Sequence, residues 1–308
     1  MSVLRSPVVR PGDRVRLVSP ASCPSVEWLN ESVAILESWG LVVEVSAHAM
    51  SEYGYMAGRD HERLADLNDA IGDPRIRAII TTRGGAGAYR IVTGIDFAAA
   101  RRDPKPIVGF SDITYLHAAL LRHAGVSSIH GCLAGDNAIA SVRHLLMTTE
   151  PLAVRRDRRT YSSALEIPGR ASGPLIGGNL RSFSGSIGTN MPSLHGAILF
   201  IEDFRTIGLG HVDRQLTQLI DSGSLDGVVG VALGLITGFD DYADRGWDAL
   251  DVWRDRLSVL GVPVLGGLPL GHGGVGVDGG PDQFAVTVGP VATLDTEAGT
   301  LTVGSCMC

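Results

Sequence analysis

The sequence predicts an α/β protein of two domains, and three features of its 308 residues support this fold class. Strand-like and helix-like segments alternate over residues 1–150, a pattern typical of a doubly wound, Rossmann-like parallel sheet. A basic stretch rich in Pro, Gly and Ser follows at residues 151–172 and carries little periodicity. The later segments are mixed and end in short strands. We therefore expect an N-terminal α/β domain at 1–150, a linker at 151–172 and a β-rich C-terminal domain at 173–308.

The N-terminal elements follow from apolar spacing and from turn residues. Arg14–Pro20 is a predicted strand that ends in a Ser-Pro turn, and Ser25 is a suitable N-cap for the helix after it. Apolar residues recur there at helical spacing, and Gly40 stands where a left-handed residue would end the helix. The remaining predicted strands are Leu41–Ser46, Ala78–Thr82, the run from Pro106 and Ser127–His130, and further helices include Leu64–Ile71 and Ser141–Met147.

The C-terminal part mixes helices and strands before an all-β end. The last three strands are separated by turn residues, which predicts a meander of antiparallel hairpins. The predicted strands are Ala197–Ile201, Val228–Ile236, Phe284–Val288, Val291–Asp295 and Thr300–Val303, and the predicted helices are Asp213–Ile220 and Trp247–Leu260.

The composition describes a mildly acidic globular protein. Hydrophobic residues make up 44% and charged residues 19%, and the net charge of -7 gives no basic excess for nucleic acid or an anionic membrane. The N-terminus shows no apolar signal segment, and the longest apolar run, Gly227–Gly238, is too short and too glycine-rich to span a bilayer. The four cysteines match no zinc-site spacing. We expect a cytoplasmic protein with no metal, no nucleic-acid partner and no membrane contact.

The segment Pro106–Leu121, PIVGFSDITYLHAALL, joins an apolar run directly to a helical pattern through Gly-Phe-Ser-Asp. A serine at such a strand-to-helix turn is held out of the sheet, and the backbone N–H groups after it can face a developing negative charge. Ser111 is therefore the candidate nucleophile, although the segment lacks the second glycine of a G-x-S-x-G elbow. Ser and Asp are also preferred N-caps, so the alternative is that Ser111 or Asp112 only caps the helix.

A glycine-rich loop, Thr82–Ala88, follows another predicted strand. Glycines at this position let the main chain approach a phosphate, a carboxylate or an oxyanion closely. The loop has neither the spacing of a dinucleotide fingerprint nor the Lys-Ser or Lys-Thr of a P-loop. The sequence leaves open whether the loop binds a ligand or is only a tight turn.

An acid and a histidine complete a candidate catalytic set. The apolar segment AILFIED ends in Glu202 and Asp203, and His272 lies in a glycine-rich loop. A serine nucleophile needs a base to take its proton, and the base needs an acid to orient it. We therefore expect Ser111, His272 and an acid at 202 or 203 to act together. His211 is one of the other histidines whose role stays open.

Five motifs in the same order and spacing resemble the LD-carboxypeptidase family of serine peptidases, which includes the microcin-immunity peptidases. They are RGGAG at 83–87, GFSDIT at 109–114, GGNL at 177–180, LFIED at 199–203 and LGH at 270–272. The resemblance implies a triad of Ser111, Glu202 and His272, and an oxyanion hole from the backbone N–H groups of Gly85 and Asp112. It also implies that the C-terminal domain is centred on a small β-barrel and that the protein forms a homodimer.

The resemblance further implies an activity and a substrate class. Members of the family hydrolyse the amide between an L-centre and a D-amino acid in murein tetrapeptide, releasing D-alanine, or cleave peptidyl-nucleotide antibiotics, and they use no cofactor. The expected ligand is therefore a peptide or a peptide conjugate. A substrate carboxylate needs a cationic or N–H partner, for which Arg83, Gly84 and the amide of Asn179 are candidates.

The chain departs from the family pattern close to the expected site. Ala86 and Ala88 stand where the family has a bulkier, often aromatic residue and a serine, and Asn190-Met191-Pro192 replaces a proline and an aromatic. Smaller loop residues would open the pocket, so a peptidyl antibiotic or a biosynthetic intermediate is an alternative substrate. Acyl transfer or cyclisation through the same acyl-enzyme is an alternative reaction. A peptide-binding protein without turnover is the alternative from another class, and the loop spacing disfavours a nucleotide-binding Rossmann protein.

Overall fold

The computed structural model describes residues 3–273 and 283–308. The predicted N-terminal domain therefore lacks residues 1 and 2 from this description, and the predicted C-terminal domain lacks residues 274–282. Strands and helices alternate in the N-terminal part, as the sequence predicts. The strands are β1 (Arg14–Val18), β2 (Val42–Val45), β3 (Ile76–Thr81), β4 (Ile107–Gly109) and β5 (Ser128–His130), and the helices are α1 (Val26–Ser38), α2 (Asp60–Gly72), α3 (Phe97–Arg102), α4 (Thr114–Ala119) and α5 (Asp136–Met147). Ser25 caps α1 as expected, because its side chain accepts a hydrogen bond from the Trp28 N–H at 3.1 Å.

The C-terminal part is richer in strands than the sequence indicates. The strands are β6 (Leu152–Arg155), β7 (Glu166–Ile167), β8 (Arg170–Asn179), β9 (Ile198–Phe204), β10 (Gly230–Thr237), β11 (Ala243–Asp244), β12 (Trp247–Asp248), β13 (Val264–Leu265), β14 (Val286–Val288), β15 (Val291–Asp295) and β16 (Thr300–Val303). The helices are α6 (Leu180–Ser184), α7 (Leu209–Asp221) and α8 (Ala249–Ser258). No helix in the described part of the chain combines the length and the apolar character needed to cross a membrane.

Two large sheets confirm the α/β class. The first has the order β14-β5-β4-β3-β1-β2 and is parallel except for β14. The second has the order β6-β16-β15-β8-β9-β10-β13-β7, with a parallel centre from β8 to β13 and antiparallel strands outside it. Its two edges approach each other, because Arg156 pairs with Glu166 and the Asp157 N–H donates to the Gly267 carbonyl at 2.8 Å. In the described residues this curled sheet takes the place of the predicted small barrel.

The stretch predicted as a linker is not a plain connection, and this corrects the sequence interpretation. It contains β6, β7 and the start of β8, a ten-residue strand at the centre of the second sheet. The glycines of β8 are required by close strand contacts. A Cβ at Gly173 would lie 2.0 Å from the Gly196 carbonyl oxygen, and one at Gly177 would lie 1.7 Å from that of Phe200.

The predicted meander of hairpins at the C-terminus is only partly present. β15 and β16 do form an antiparallel hairpin. The segment before them does not join it, because β14 pairs with β5 at the edge of the first sheet. Val286 and Val288 are both buried there, so the strand covers an edge that would otherwise be open.

Apolar residues of both sheets pack in one core. Val108 and Ile129 of the first sheet belong to the same buried cluster as Leu175 and Phe200 of the second. The shared core fixes the end of β4 close to the end of β9. Residues that follow these strands can therefore meet at one place, although they are far apart in the sequence.

Candidate active site

Ser111 lies directly beyond β4, as the first residue of a short 3-10 turn, Ser111–Ile113, that leads into α4. Its φ angle is +62°, a value that strains any residue with a Cβ. No side-chain hydrogen bond caps this turn or α4, so the interpretation of Ser111 or Asp112 as a simple helix cap is wrong. Instead, Ser111 Oγ lies 3.1 Å from His272 Nε2.

His272 links Ser111 to Glu202. Its Nδ1 lies 2.7 Å from Glu202 Oε2, and its backbone N–H donates to the same oxygen at 3.1 Å. A carboxylate can only accept, so this contact keeps the ring proton on Nδ1 and leaves Nε2 free to accept from Ser111. The imidazole also packs against the rings of Phe204 and Phe110, with centroids 4.1 and 4.9 Å away.

Glu202 and Asp203 are adjacent in β9 but lie in different surroundings. Glu202 is fully buried, and burial by itself raises the pKa of its carboxyl group. The positive charge that His272 carries when it is protonated, together with its hydrogen bonds, outweighs that effect and lowers the pKa below its ordinary value of 4.5. For Asp203, burial and the neighbouring Glu202 raise the pKa to about 7. The carboxylate that faces the histidine is therefore the one at 202.

The glycine loop passes so close to Ser111 that side chains are excluded. A Cβ at Gly84 would lie 2.7 Å from the Ser111 Cβ, and one at Gly85 would lie 2.3 Å from Ser22 Oγ. Gly85 also has a φ of +95°, which a residue with a side chain adopts only under strain. The glycines thus provide a close approach of the main chain to the serine.

Two side chains hold the glycine loop in place. Ser22 Oγ accepts a hydrogen bond from the Ala86 N–H at 3.1 Å, and Asp112 Oδ2 accepts one from the Ala88 N–H at 2.7 Å. Asp112 adjoins Ser111, so its carboxyl group ties the loop to the serine turn. Burial raises the pKa of Asp112 to about 6, although the backbone N–H groups of Gly87 and Ala88 act in the opposite direction.

Ser111 and His272 line a cavity of about 450 Å³. Gly84 and Gly85 line it as well, as does Arg83, whose guanidinium donates to the Cys23 carbonyl at 3.1 Å. A cavity of this size is within the range of small-ligand sites. Its volume and its serine together suit a small substrate with a reactive carbonyl.

Asn179, a candidate for binding substrate, does not line this cavity. It is 3% exposed, and its Oδ1 accepts from the Ser182 N–H at 3.4 Å as the N-cap of α6. It lies beside Glu202 in the strand pairing, and its Nδ2 has no hydrogen-bond partner. The motif GGNL therefore supports the strand that carries the acid.

Three aromatic side chains of the cavity wall were not predicted from the sequence. Phe110 and Phe204 directly follow Gly109 and Asp203, so each adjoins a motif and could have been found from it. Trp28 lies on α1, and its Nε1 donates to the Thr82 carbonyl at 2.6 Å. Nothing in the sequence marks Trp28, because a tryptophan on an amphipathic helix is more often part of the core.

The fold and the site together define the class of the protein. A serine, a histidine and a buried carboxylate in one hydrogen-bonded line, beside a glycine loop in an α/β fold, are the arrangement of serine hydrolases. The model of the LD-carboxypeptidase N-terminal domain matches residues 15–131, and that of the C-terminal domain matches residues 172–292. The chain therefore belongs to the LD-carboxypeptidase family, a family of serine peptidases, which confirms the resemblance seen in the five motifs.

Relatives of known name and structure agree with this assignment. The probable murein peptide carboxypeptidase of Bacillus subtilis is 32% identical over 92% of this chain and 89% of its own length. The crystal structure of muramoyltetrapeptide carboxypeptidase from Oxalobacter formigenes matches with a TM-score of 0.80 at 27% identity. The match covers 96% of this chain and 100% of the Oxalobacter chain. An MccF-like protein from Bacillus anthracis has a TM-score of 0.85 at 24% identity, covers 97% of this chain and 99% of that one, and shows the same fold.

Proposed function

We propose that this protein is a serine LD-carboxypeptidase that removes D-alanine from murein tetrapeptide through an acyl-enzyme. The observation that carries the proposal is the line from Ser111 Oγ to His272 Nε2 at 3.1 Å and from His272 Nδ1 to Glu202 at 2.7 Å. Membership of the family and the B. subtilis relative named for murein peptide support the substrate.

The proposed reaction assigns one role to each member of the triad. Ser111 Oγ attacks the carbonyl carbon of the scissile amide while His272 Nε2 takes the hydroxyl proton. Glu202 stabilises the imidazolium that forms. His272 then gives the proton to the leaving nitrogen, so that the amide bond breaks and D-alanine departs. Water, activated by the same histidine, hydrolyses the ester and restores Ser111.

The tetrahedral intermediate carries a negative oxygen that needs donors. We assign the backbone N–H groups of Gly85 and Asp112 to it, since both lie in the segments that meet at Ser111. Arg83 and Gly84 at the same cavity are the candidates for the carboxylate of the leaving D-residue. Substrate binding is thus assigned to the glycine loop and the nucleophile to the turn that Asp112 fixes against it.

A peptidyl-nucleotide amide is the second candidate substrate. The walls formed by Trp28, Phe110 and Phe204 provide aromatic surface that suits a flat base. Transfer of the acyl group to an amine instead of water would use the same triad and would give a different product.

Mass spectrometry of products tests these alternatives. Wild-type protein, Ser111→Ala and the control Ser193→Ala, which changes an exposed serine outside the cavity, are incubated with murein L,D-tetrapeptide. We expect wild type and the control to release D-alanine and Ser111→Ala to remain folded but inactive. Turnover by purified Ser111→Ala would overturn the assignment of the nucleophile. An intact tetrapeptide with cleavage of a peptidyl nucleotide would select the second substrate, and a larger or cyclic product would select acyl transfer.

A cytoplasmic homodimer is also proposed on the basis of the family resemblance. Sedimentation equilibrium tests the oligomeric state, and a mass of one chain over the working concentration range would exclude the dimer. Fractionation of the producing cells tests the location.

A further inference from the structure

A second cavity lies between α6 and the first half of α7. Its volume is about 360 Å³, and its polar walls include Arg181, His211, Arg214 and Gln215. The sequence pattern singled out only His211 of these four, and the proposed reaction uses none of them. The cavity therefore requires a separate explanation.

The basic groups of this cavity are not neutralised within the protein. No carboxylate of the described residues lies within ion-pair distance of Arg181 or Arg214, and none lines the cavity. Burial and the positive charges of Arg181 and Arg214 lower the pKa of His211, so the three groups are close enough to repel one another. Asp203 also lies near Arg181, and with a pKa of about 7 it is only partly ionised at neutral pH, so it offsets that charge only in part.

Polar atoms here also lack partners inside the protein. Arg181 Nε is buried without a hydrogen bond, although another nitrogen of the guanidinium donates to Thr206 Oγ1. Gln215 also lines the cavity, is 8% exposed, and has a buried Oε1 without a hydrogen-bond partner among the described residues. Guanidinium groups and an amide N–H are donors with a positive character, and together they suit an anionic oxygen.

A single aromatic ring separates this cavity from the reaction site. Phe204 lines the first cavity, and its ring centroid lies 4.1 Å from that of His272. The Arg181 guanidinium lies over the same ring, 5.5 Å from the centroid. The His272 imidazole and the Arg181 guanidinium therefore both lie next to the Phe204 ring, which places the second cavity beside the reaction site.

We propose that Arg181, Arg214 and Gln215 form an anion subsite that binds a carboxylate group on the acyl part of the substrate, beyond the scissile amide. The inference rests on the proposed function and deepens it. It assigns two cationic positions to two anionic groups: Arg83 holds the leaving residue, and the second cavity holds the part that becomes the acyl-enzyme.

The first test is the kinetic effect of Arg214→Gln. This exposed side chain contacts none of the triad residues, and its loss removes one charge from the second cavity. We expect KM for murein tetrapeptide to rise roughly tenfold with little change in kcat, because a charge-assisted contact made equally in ground and transition states is lost. The matched control is Arg102→Gln, which removes an exposed arginine that lines neither cavity and should leave KM at the wild-type value.

The second test changes the substrate instead of the protein. We use a tetrapeptide in which the carboxylates of the acyl part are replaced by carboxamides. The KM of wild type for this peptide should be higher than for the ordinary tetrapeptide by about the same factor, and wild type and Arg214→Gln should have equal KM values for it. A KM effect confined to a peptidyl nucleotide, whose phosphoryl group lies on the leaving part, would overturn the assignment of this cavity to the acyl part. An unchanged KM for both substrates in Arg214→Gln would overturn the subsite, as would an equal effect on the charged and the carboxamide peptides.

Failure of the proposed function can be told apart from failure of the subsite. If wild type hydrolyses neither substrate, the proposed function has failed. The anion subsite is then tested separately by calorimetric titration with inorganic phosphate. Phosphate binding that is lost in Arg214→Gln and kept in Arg102→Gln would still support an anion site. Equal binding in the two variants, or none in wild type, would overturn it.

Discussion

Replacing Glu202 by Gln isolates the charge of the buried acid from its hydrogen bonds. An amide could in principle turn its NH2 group toward His272 Nδ1 and force the ring into the wrong tautomer. The structure opposes this, because the backbone N–H of His272 donates to the same oxygen at 3.1 Å and can only donate. The amide oxygen of Gln should therefore take the place of Oε2 and keep the proton on Nδ1.

The expected fall in kcat follows from the charge interaction between Glu202 and His272, which the substitution removes. Glu202 Oε2 lies 2.7 Å from His272 Nδ1 in a fully buried position, and the imidazolium is charged only as the reaction proceeds. Two unit charges about 4 Å apart interact by about 4 kcal/mol at an effective dielectric constant of about 20. That energy corresponds to a fall in kcat of about 10³-fold. KM should change little, since Glu202 lines neither cavity.

The assay is release of D-alanine by Glu202→Gln, with Asp203→Asn as the matched control. The control removes the neighbouring carboxyl group, which has no contact with His272, and should retain most of the wild-type kcat. Proton NMR of the imidazole N–H should show that Nδ1 remains protonated in Glu202→Gln. A loss below tenfold, or equal losses in the two variants, would refute the role of the Glu202 charge.

Two further predictions concern stability. Gly85→Ala should destabilise the fold by about 1–3 kcal/mol more than Gly12→Ala in urea unfolding and should lower kcat. Both glycines have φ near +95°, but a Cβ at Gly85 would lie 2.3 Å from Ser22 Oγ, whereas one at Gly12 would meet nothing within 4 Å. Equal losses of stability in the two variants would argue against this clash. Asp203 has a pKa raised from 3.8 to about 7, so its contribution to stability is present below pH 3.8 and is lost as the pH rises through 7. Asp203→Asn should therefore gain a few kcal/mol over wild type between pH 4 and 8, and a difference independent of pH would contradict the raised pKa.

The N-terminal domain could be predicted from the sequence because its strands are short apolar runs with helices between them. β1, β3 and β5 lie within a few residues of their predicted positions, and Ser25 caps α1 as expected. β8 could not be predicted in the same way. Its glycines and its proline are typical of loops, and only the contacts with β9 explain why larger residues are excluded.

Some residues of the site could likewise be found from local sequence patterns, whereas others are placed there only by packing between distant segments. Ser111, the glycine loop and His272 are marked by local patterns, and the structure brings all three to one cavity. The roles of Ser22 and Trp28 depend on where β1 and α1 pack against the loop, so no local pattern reveals them. The placement of Asn179 under α6 likewise depends on how β8 and β9 pair, and its motif indicated substrate contact instead of support for the acid strand.

Glu202 and Asp203 are adjacent at the end of a strand, but only one of the two carboxyl groups contacts His272. Successive side chains of a strand point to opposite faces, so only one of the two can meet His272. The histidine lowers the pKa of Glu202 against the effect of burial, and the resulting charge in turn helps raise the pKa of Asp203. One carboxylate therefore stays ionised beside the base, while its neighbour is only partly ionised at neutral pH. The same asymmetry leaves Arg181 without a full countercharge, which is the condition that the proposed anion subsite requires.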